Sequence, residues 1–443
     1  MKRLYVILFL TGLCFLGKTQ NGTTFSTLNE LLSYADLHSS TFKNANEQII
    51  LAKYETLAAK LNQWNLKNNV NFSLTDNTKL PVNYLPAEIF GGTKGTFKEI
   101  TLGQQYVTSI GMSPQIDVYN PLAVAKIQVA KTNEALVAVT NKLNKKNLYE
   151  SLAAVYFNIL SLQQQIMITE KSLSVSDSLV QIVTNKEKEG LVRRQDTNDA
   201  LANKISIQDK LEQLNVQLQQ QYNSLKILID AQISDNFKIN SEQSALSTGL
   251  TTDSSWLKAH GSELMSQQSL LQKRYQEEDL RANKKIYTPT VSVFGNIGWQ
   301  QNSNDFFFSG NGNWFSSNYI GVKINLPLPP DVGKIASAKY SELNVRMAEI
   351  NHEHTLLQEK INNEQLVLDY QKAFTQHQNA LKIEALKRDS YIKNFEIYKE
   401  GLLSTTDILT SLTDLLNSRL NTSTQYVNVE YAKSKITINN TVK

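Results

Sequence analysis

The chain has 443 residues, 41% of them hydrophobic, with 45 Lys and Arg against 41 Asp and Glu and a formal net charge of +4. Charges of both signs are spread along it, so no basic tract is present to hold a nucleic acid. The single cysteine, Cys14, excludes a disulfide framework, and the fold must be held by packing.

The first twenty residues read as a leader. Lys2 and Arg3 precede an apolar run from Leu4 to Leu16, and Gly17 and Thr19 are small residues placed for cleavage after Thr19. The run is short for a bilayer span, which argues against a membrane anchor. Leu13 stands where a lipoprotein signal carries a small residue before its cysteine, so lipidation of Cys14 is not expected. Residues 1–19 are expected to be an export signal that takes the only cysteine with it.

Leu28 to about Trp64 reads as helical, with a break near His38-Ser39-Ser40. Val70, Phe72 and Leu74 then alternate with Asn71, Ser73 and Thr75, the period of a half-exposed strand. A long loop follows from Asp76 to Leu102, of a length to plug or decorate an opening. A second strand is expected from about Gln104 to Gln115, with Tyr106, Thr108, Ile110 and Met112 on one face and Pro114 and Pro121 bracketing its exit.

From Pro121 the period changes. Leu148, Leu152, Val155, Ile159, Leu162 and Ile166 step 4-3-4-3-4, a coiled-coil seam. A helix from Pro121 to near Lys188 would be about 100 Å long at 1.5 Å per residue. Gly190 breaks it, and a second helix carries Leu201, Ile207, Leu211, Leu214, Leu218, Leu225 and Leu228.

After a polar linker, 241–255, the order repeats. Trp256 to Lys285 reads as a helix, and Val291, Val293, Ile297 and Trp299 as a strand with Ser292, Asn296, Gly298 and Gln300 on its other face. An aromatic loop leads to a fourth strand, Ile320, Val322, Ile324 and Leu326, ended by Pro327, Pro329 and Pro330. The following long helix has Leu343, Met347, Ile350, His354, Leu357, Ile361, Glu364 and Leu368 on its seam. His354 and Glu364 are polar intrusions there, placed to face neighbours or a lumen. Gly401 ends it, and a last helix carries Leu409, Leu412 and Leu416.

The echo is literal in places. Asp177-Ser178, Lys188-Glu189-Gly190-Leu191 and Asp196 return as Asp389-Ser390, Lys399-Glu400-Gly401-Leu402 and Asp407, with the glycines 211 positions apart. Ser109-Ile110-Gly111 returns as Tyr319-Ile320-Gly321. An offset of half the chain indicates a tandem duplication. The first repeat is expected over 20–240 and the second over 256–443.

The strands are long enough to cross a bilayer at a tilt, yet four cannot close a barrel, and an open sheet edge is not tolerated in lipid. Closure therefore requires several chains. The doubled order of elements, with a Gly-Leu hairpin tip followed by an aspartate in each half, resembles the TolC family of outer membrane factors over essentially the whole mature chain. The resemblance implies a mostly α, α+β fold whose four strands contribute to a trimeric 12-stranded β-barrel in the outer membrane of a Gram-negative bacterium. Long coiled-coil hairpins would form an α-helical barrel through the periplasm. It further implies a homotrimer that works with a periplasmic adaptor protein and an inner-membrane pump to expel small molecules or proteins, with outer-membrane lipid around it.

Gly190, Leu191, Gly401 and Leu402 are the adaptor-docking candidates. Each glycine also suits a plain helix C-cap, but the leucine after it is an apolar knob that needs covering. Asp196 and Asp407 suit the first turns of the returning helices, where the dipole favours an acid. Asp177 and Asp389 are candidate gate acids, since the family's gate uses acidic residues near the tip. Phe306, Phe307, Phe308, Trp314, Phe315 and Tyr319 are candidates for an interfacial aromatic belt, or for a packed loop. His352 and His354 lie two apart on a helix and point to different faces, so no metal is expected there. Gly91 to Thr96 has neither the spacing nor the context of a phosphate loop. No catalytic constellation and no cofactor motif stands out, so no enzyme is expected. The competing reading is a periplasmic coiled-coil adaptor that never spans the membrane, against which the duplicated strand pairs argue.

Overall fold

A computed structural model describes residues 23–442, apart from 65, 233–236, 241–262, 309, 311 and 329–330. The leader with Cys14, the linker 241–255, Trp256, Pro329 and Pro330 lie outside the described residues. In order, the elements are β1 (Thr23–Phe25), α1 (Leu28–His38), α2 (Ser40–Gln63), β2 (Leu66–Asp76), β3 (Val82–Pro86), β4 (Phe97–Thr101), β5 (Tyr106–Tyr119), α3 (Pro121–Lys188) and α4 (Arg194–Leu228). There follow β6 (Phe237–Ile239), α5 (Leu264–Lys284), β7 (Thr290–Ser303), β8 (Trp314–Asn325), α6 (Val332–Lys399) and α7 (Thr405–Thr441). The fold is mostly helical, and α3 and α6 are 68 residues each.

These elements form two compact units, each drawing on both halves of the sequence. One comprises the chain up to Asn46, Asn141–Leu264 and Leu357–Lys443; the other comprises Glu47–Thr140 and Met265–Leu356.

In the first unit, β1 pairs in parallel with β6 and closes a core under α1. Leu31, Leu152, Ile159, Leu225 and Ile229 are buried there with Phe25 and Phe237, whose rings stack 5.9 Å apart. The break between α1 and α2 falls at Ser39. The Ser40 N–H donates to Asp230 Oδ2 at 2.5 Å, and hydrogen bonding from the Ser40 side chain, followed by this backbone bond, holds the Asp230 carboxyl below the usual carboxylate range.

His377 of α6 is also buried in this unit, with Nδ1 unpartnered and its ring 5.5 Å from that of Tyr426. Burial pushes its pKa down, against a hydrogen bond with the Thr422 backbone that raises it. A base held neutral in the fold takes up its proton more readily when unfolded. Stability is therefore fully present above the unfolded pKa of about 6.5 and falls as pH drops through it toward the lower folded value. Chemical denaturation between pH 7.5 and 5 should show this loss, and His377→Gln should flatten it.

The second unit holds a four-stranded antiparallel sheet in the order β2-β5-β7-β8. Its central pair, β5 and β7, joins the two sequence repeats. Two expectations change here. Pro114 does not end its strand, which runs on to Tyr119. The ladder to β7 simply lapses at Ser113 and Pro114, where proline has no N–H to give, while β2 stays in register opposite. The 76–102 stretch is not bare loop: β3 and β4 pair as a hairpin around a 3-10 turn at Ala87–Phe90.

The two coiled-coil seams differ. On α3, Leu148, Leu152, Ile159 and Leu162 are buried. On α6, Leu343, Met347, Ile350, Leu357, Ile361 and Leu368 are all exposed by half or more. The same period thus serves a filled seam in one half and an uncovered one in the other.

Candidate functional site

The register divides the sheet into two faces of opposite chemistry. One face carries the rows Leu66-Ile116-Val293-Val322, Val70-Met112-Ile297-Asn318 and Phe72-Ile110-Trp299-Ser316. The other carries Asn69-Ser113-Asn296-Tyr319, Asn71-Gly111-Gly298-Ser317 and Ser73-Ser109-Gln300-Phe315. In a water-soluble sheet the apolar face would be the covered one. Here Ile320 and Ile324 are 82% and 69% exposed, while the polar face is laced by hydrogen bonds such as Ser73 to Ser109 at 2.7 Å and Ser113 to Asn296 at 3.2 Å. Apolar-out and polar-in is the pattern of a sheet solvated by lipid on one side and water on the other.

Both outer strands are free. Every residue of β2 and all but one of β8 are exposed, and neither has a second neighbour among the described residues. A long flat edge of this kind is a template for another strand. Since β2 and β8 run antiparallel to each other, an edge-to-edge join between copies keeps the whole sheet antiparallel.

At the base of the polar face, the buried Asp117 accepts a hydrogen bond from Ser292 Oγ at 2.7 Å, with Lys67 Nζ at 3.7 Å. At the other end the aromatic loop folds onto the apolar face. Phe308 stacks on Phe72 at 6.2 Å, and Phe306 and Phe307 contact Tyr106. Trp314, opposite Gln301, lies on that same apolar face. Phe315 and Tyr319 do not: they pair with Gln300 and Asn296, and Tyr319 meets Phe294 edge-on at 6.1 Å on the polar side. Strand alternation forbids neighbours 314 and 315 from sharing a face, so the six aromatics divide between the two sides.

The two hairpin tips are built alike. Gly190 and Gly401 have φ of +73° and +79°. The Gly190 N–H donates to the Glu187 carbonyl and the Leu191 N–H to that of Lys186; Gly401 to Tyr398 and Leu402 to Ile397 repeat the pattern. This pair of bonds is a Schellman closure, and the left-handed residue it needs is glycine. The leucines that follow, 67% and 76% exposed, project outward. Asp196 stands at the third position of α4 and accepts the Arg193 N–H at 2.9 Å. Asp407 takes the matching place in α7, where Ser404 Oγ accepts its N–H at 3.1 Å and donates to its carboxylate at 2.6 Å.

Beneath the tips, Leu179, Val183, Ala200, Tyr398, Ile408, Leu409 and Leu412 form one buried cluster, so the hairpins support each other. Lys186, which the duplication does not mark, ties them: its Nζ donates to the Tyr398 carbonyl at 2.8 Å and lies 4.0 Å from the Tyr398 ring centroid. A lysine on one helix thereby satisfies a terminal carbonyl of the next. Nothing in the duplicated pattern signals it, because position 397 in the other half is isoleucine. Asp177 pairs with Lys204 across the first hairpin at 2.6 Å, and Asp389 with Lys393 along α6 at 2.7 Å. Asp196→Ala removes an acceptor and a favourable charge from an exposed first turn, an expected loss of about 0.5–1 kcal/mol. Thermal melting of the variant should show a small shift and no change of fold.

Among the described residues no group of His, Cys, Asp and Glu is placed to hold a metal, and no helix is long and apolar enough to cross a membrane. His352 is engaged with Ser269 Oγ at 2.8 Å.

Several solved structures share this architecture. The outer membrane protein VceC of Vibrio cholerae aligns over 92% of this chain and 94% of its own, with a TM-score of 0.73 and 18% identity. The CmeC outer membrane channel of Campylobacter jejuni aligns over 93% and 84%, at 0.71 and 16%. The open-state MtrE outer membrane channel of Neisseria gonorrhoeae aligns over 92% and 88%, at 0.63 and 13%. No family model matches the sequence, and no curated protein matches it. The chain has the fold of these outer membrane channels.

Proposed function

We propose that this chain, having that fold, is an outer membrane channel of a tripartite export system, assembled as a homotrimer. The observation that carries the reading is the sheet. It combines an exposed apolar face, a hydrogen-bonded polar face and two free edges, a combination that is costly in water and suited to a closed barrel in lipid. Three copies joined by β8 and β2 supply twelve strands from the four in each chain. The polar face, lined mainly by Asn, Ser, Gln and Gly, borders a water-filled passage whose strand charges, Lys67, Asp117 and Lys323, gather at its base.

The channel is passive, and a pump in the inner membrane supplies the energy. A periplasmic adaptor docks on the tips, where Leu191 and Leu402 offer apolar knobs held out by glycine turns. Asp177 and Asp389 border the gate below them. The first repeat, 20–240, and the second, 256–443, each supply one tip, so a trimer presents six.

Membrane fractionation with size analysis of the detergent-extracted protein tests this reading. A trimer recovered only from outer membrane, with mixed strand and helix content by circular dichroism, is the expected result. A water-soluble monomer in the periplasm would overturn it and favour the coiled-coil adaptor.

A further inference from the structure

We infer that the base of the passage is a filter that favours anions, set by the lysine at position 323 of each copy. The inference rests on the channel reading above and deepens it by naming the charge of the solutes that the passage carries best.

The strands β2, β5, β7 and β8 hold only four charged residues: Lys67, Asp76, Asp117 and Lys323. Asp76 lies at the far end of β2, in phase with Phe72 and Leu74 on the apolar side, and accepts a hydrogen bond from Gln105 at 3.2 Å. The other three share the polar face, and all lie at the end where the strands join α2, α3, α5 and α6. Asp117, Ser292 and Lys323 form one row across β5, β7 and β8, and Lys67 stands opposite Gln115 in the next row. Along the rest of the polar face the strands carry no charge that could offset this band.

The carboxylate and the lysines play different parts. Asp117 is only 9% exposed, and its neighbours are all donors: Ser292 Oγ at 2.7 Å, Asn120 Nδ2 at 3.3 Å, Gln115 Nε2 at 3.4 Å and Lys67 Nζ at 3.7 Å. Its charge is therefore matched within the wall, with Lys67 as the counter-ion. Lys323 is exposed and has no ion pair among the described residues. Ser292, the neighbour between it and Asp117, has its hydroxyl turned to the carboxylate. Two lysines against one carboxylate leave one positive charge per copy, hence three around a trimer.

The size of the barrel makes those charges effective. Twelve strands about 4.8 Å apart and tilted by about 40° close at a backbone radius of about 12 Å, and a lysine side chain spans about half of that. The remaining distance to the axis is within the Debye length of about 8 Å at physiological salt. The band thus acts across the whole opening, and a low-dielectric wall around water concentrates its field. Cations are repelled there and anions gathered.

The test is planar-bilayer recording from the detergent-extracted full-length protein under a potassium chloride gradient. The wild-type reversal potential is expected to lie on the chloride side. Lys323→Gln removes the net charge of the band and should lower the chloride-to-potassium permeability ratio by about twofold or more, while Lys323→Glu should carry the ratio below unity. Lys323→Arg keeps the charge and should hold the wild-type value. Position 323 is exposed, so the oligomer band in unheated gels should be unchanged in all three variants. A wild-type channel that prefers potassium, or a reversal potential unmoved by both Lys323→Gln and Lys323→Glu, would overturn the filter and leave the channel reading standing. Inserted protein that passes no current in any form would overturn the channel reading and the filter with it.

Discussion

Gly401→Val is expected to reduce export at least tenfold while the oligomer remains intact. The substitution acts through backbone conformation alone. Beyond its chain neighbours, a Cβ at position 401 would meet nothing within 4 Å, so the added carbon finds open space. What it meets is a φ of +79°, where an L-residue costs about 1–2 kcal/mol and a β-branched one is a true outlier. The turn relieves that strain by giving up the Leu402 to Ile397 bond, which moves the knob the adaptor is proposed to grip. The buried cluster of Tyr398, Ile408 and Leu412 lies behind the turn and keeps the hairpins packed. Gly401→Asn is the matched control, since asparagine tolerates the left-handed region, and it should retain most of the activity. Leu402→Asp should fail for the separate reason that it makes the knob polar. Drug or dye efflux in whole cells, read beside the oligomer band in unheated gels, distinguishes a docking defect from an assembly defect. Normal efflux in Gly401→Val would remove the tips from the docking surface.

How much of this was legible in sequence depends on what periodicity encodes. The period-2 runs at Val70 to Leu74 and Val291 to Trp299, and the 4-3 steps from Leu148 to Ile166, identified element types correctly because side-chain direction is fixed by backbone geometry. The doubled Gly-Leu tips were visible for a similar reason: a left-handed turn needs glycine, and duplication shows it twice. Pro114 misled, because its missing N–H costs one rung of one ladder while the strand is still held on its other side by β2. Proximity along the chain groups the aromatics, whereas strand alternation separates Trp314 from Phe315. The sharpest gap concerns the seams. Leu148 to Ile166 and Leu343 to Leu368 read alike, yet one is filled within the chain and the other left open. A pattern states which face is apolar; what covers that face is decided by elements far away in sequence, or by another molecule.

The sheet gives the second large effect, and it turns on one residue's parity. Ile297→Arg is expected to destabilise the assembled barrel by about 2–4 kcal/mol per copy, the cost of a charge on the lipid side near mid-membrane. Ile297 sits in the row Val70-Met112-Ile297-Asn318, inside the apolar band and 43% exposed. Ser317→Lys makes the opposite test from the paired strand. Ser317 lies opposite Gly298 on the polar face, one position from the Ile297–Asn318 row. A lysine there would extend into water and should cost little, while adding positive charge to the passage. Heat stability of the detergent-extracted oligomer and its yield in outer membrane measure the first effect; single-channel ion selectivity measures the second. A barrel indifferent to Ile297→Arg, or one broken by Ser317→Lys, would mean that the apolar face does not meet lipid. The two adjacent rows therefore decide the orientation of the sheet without reference to any other part of the molecule.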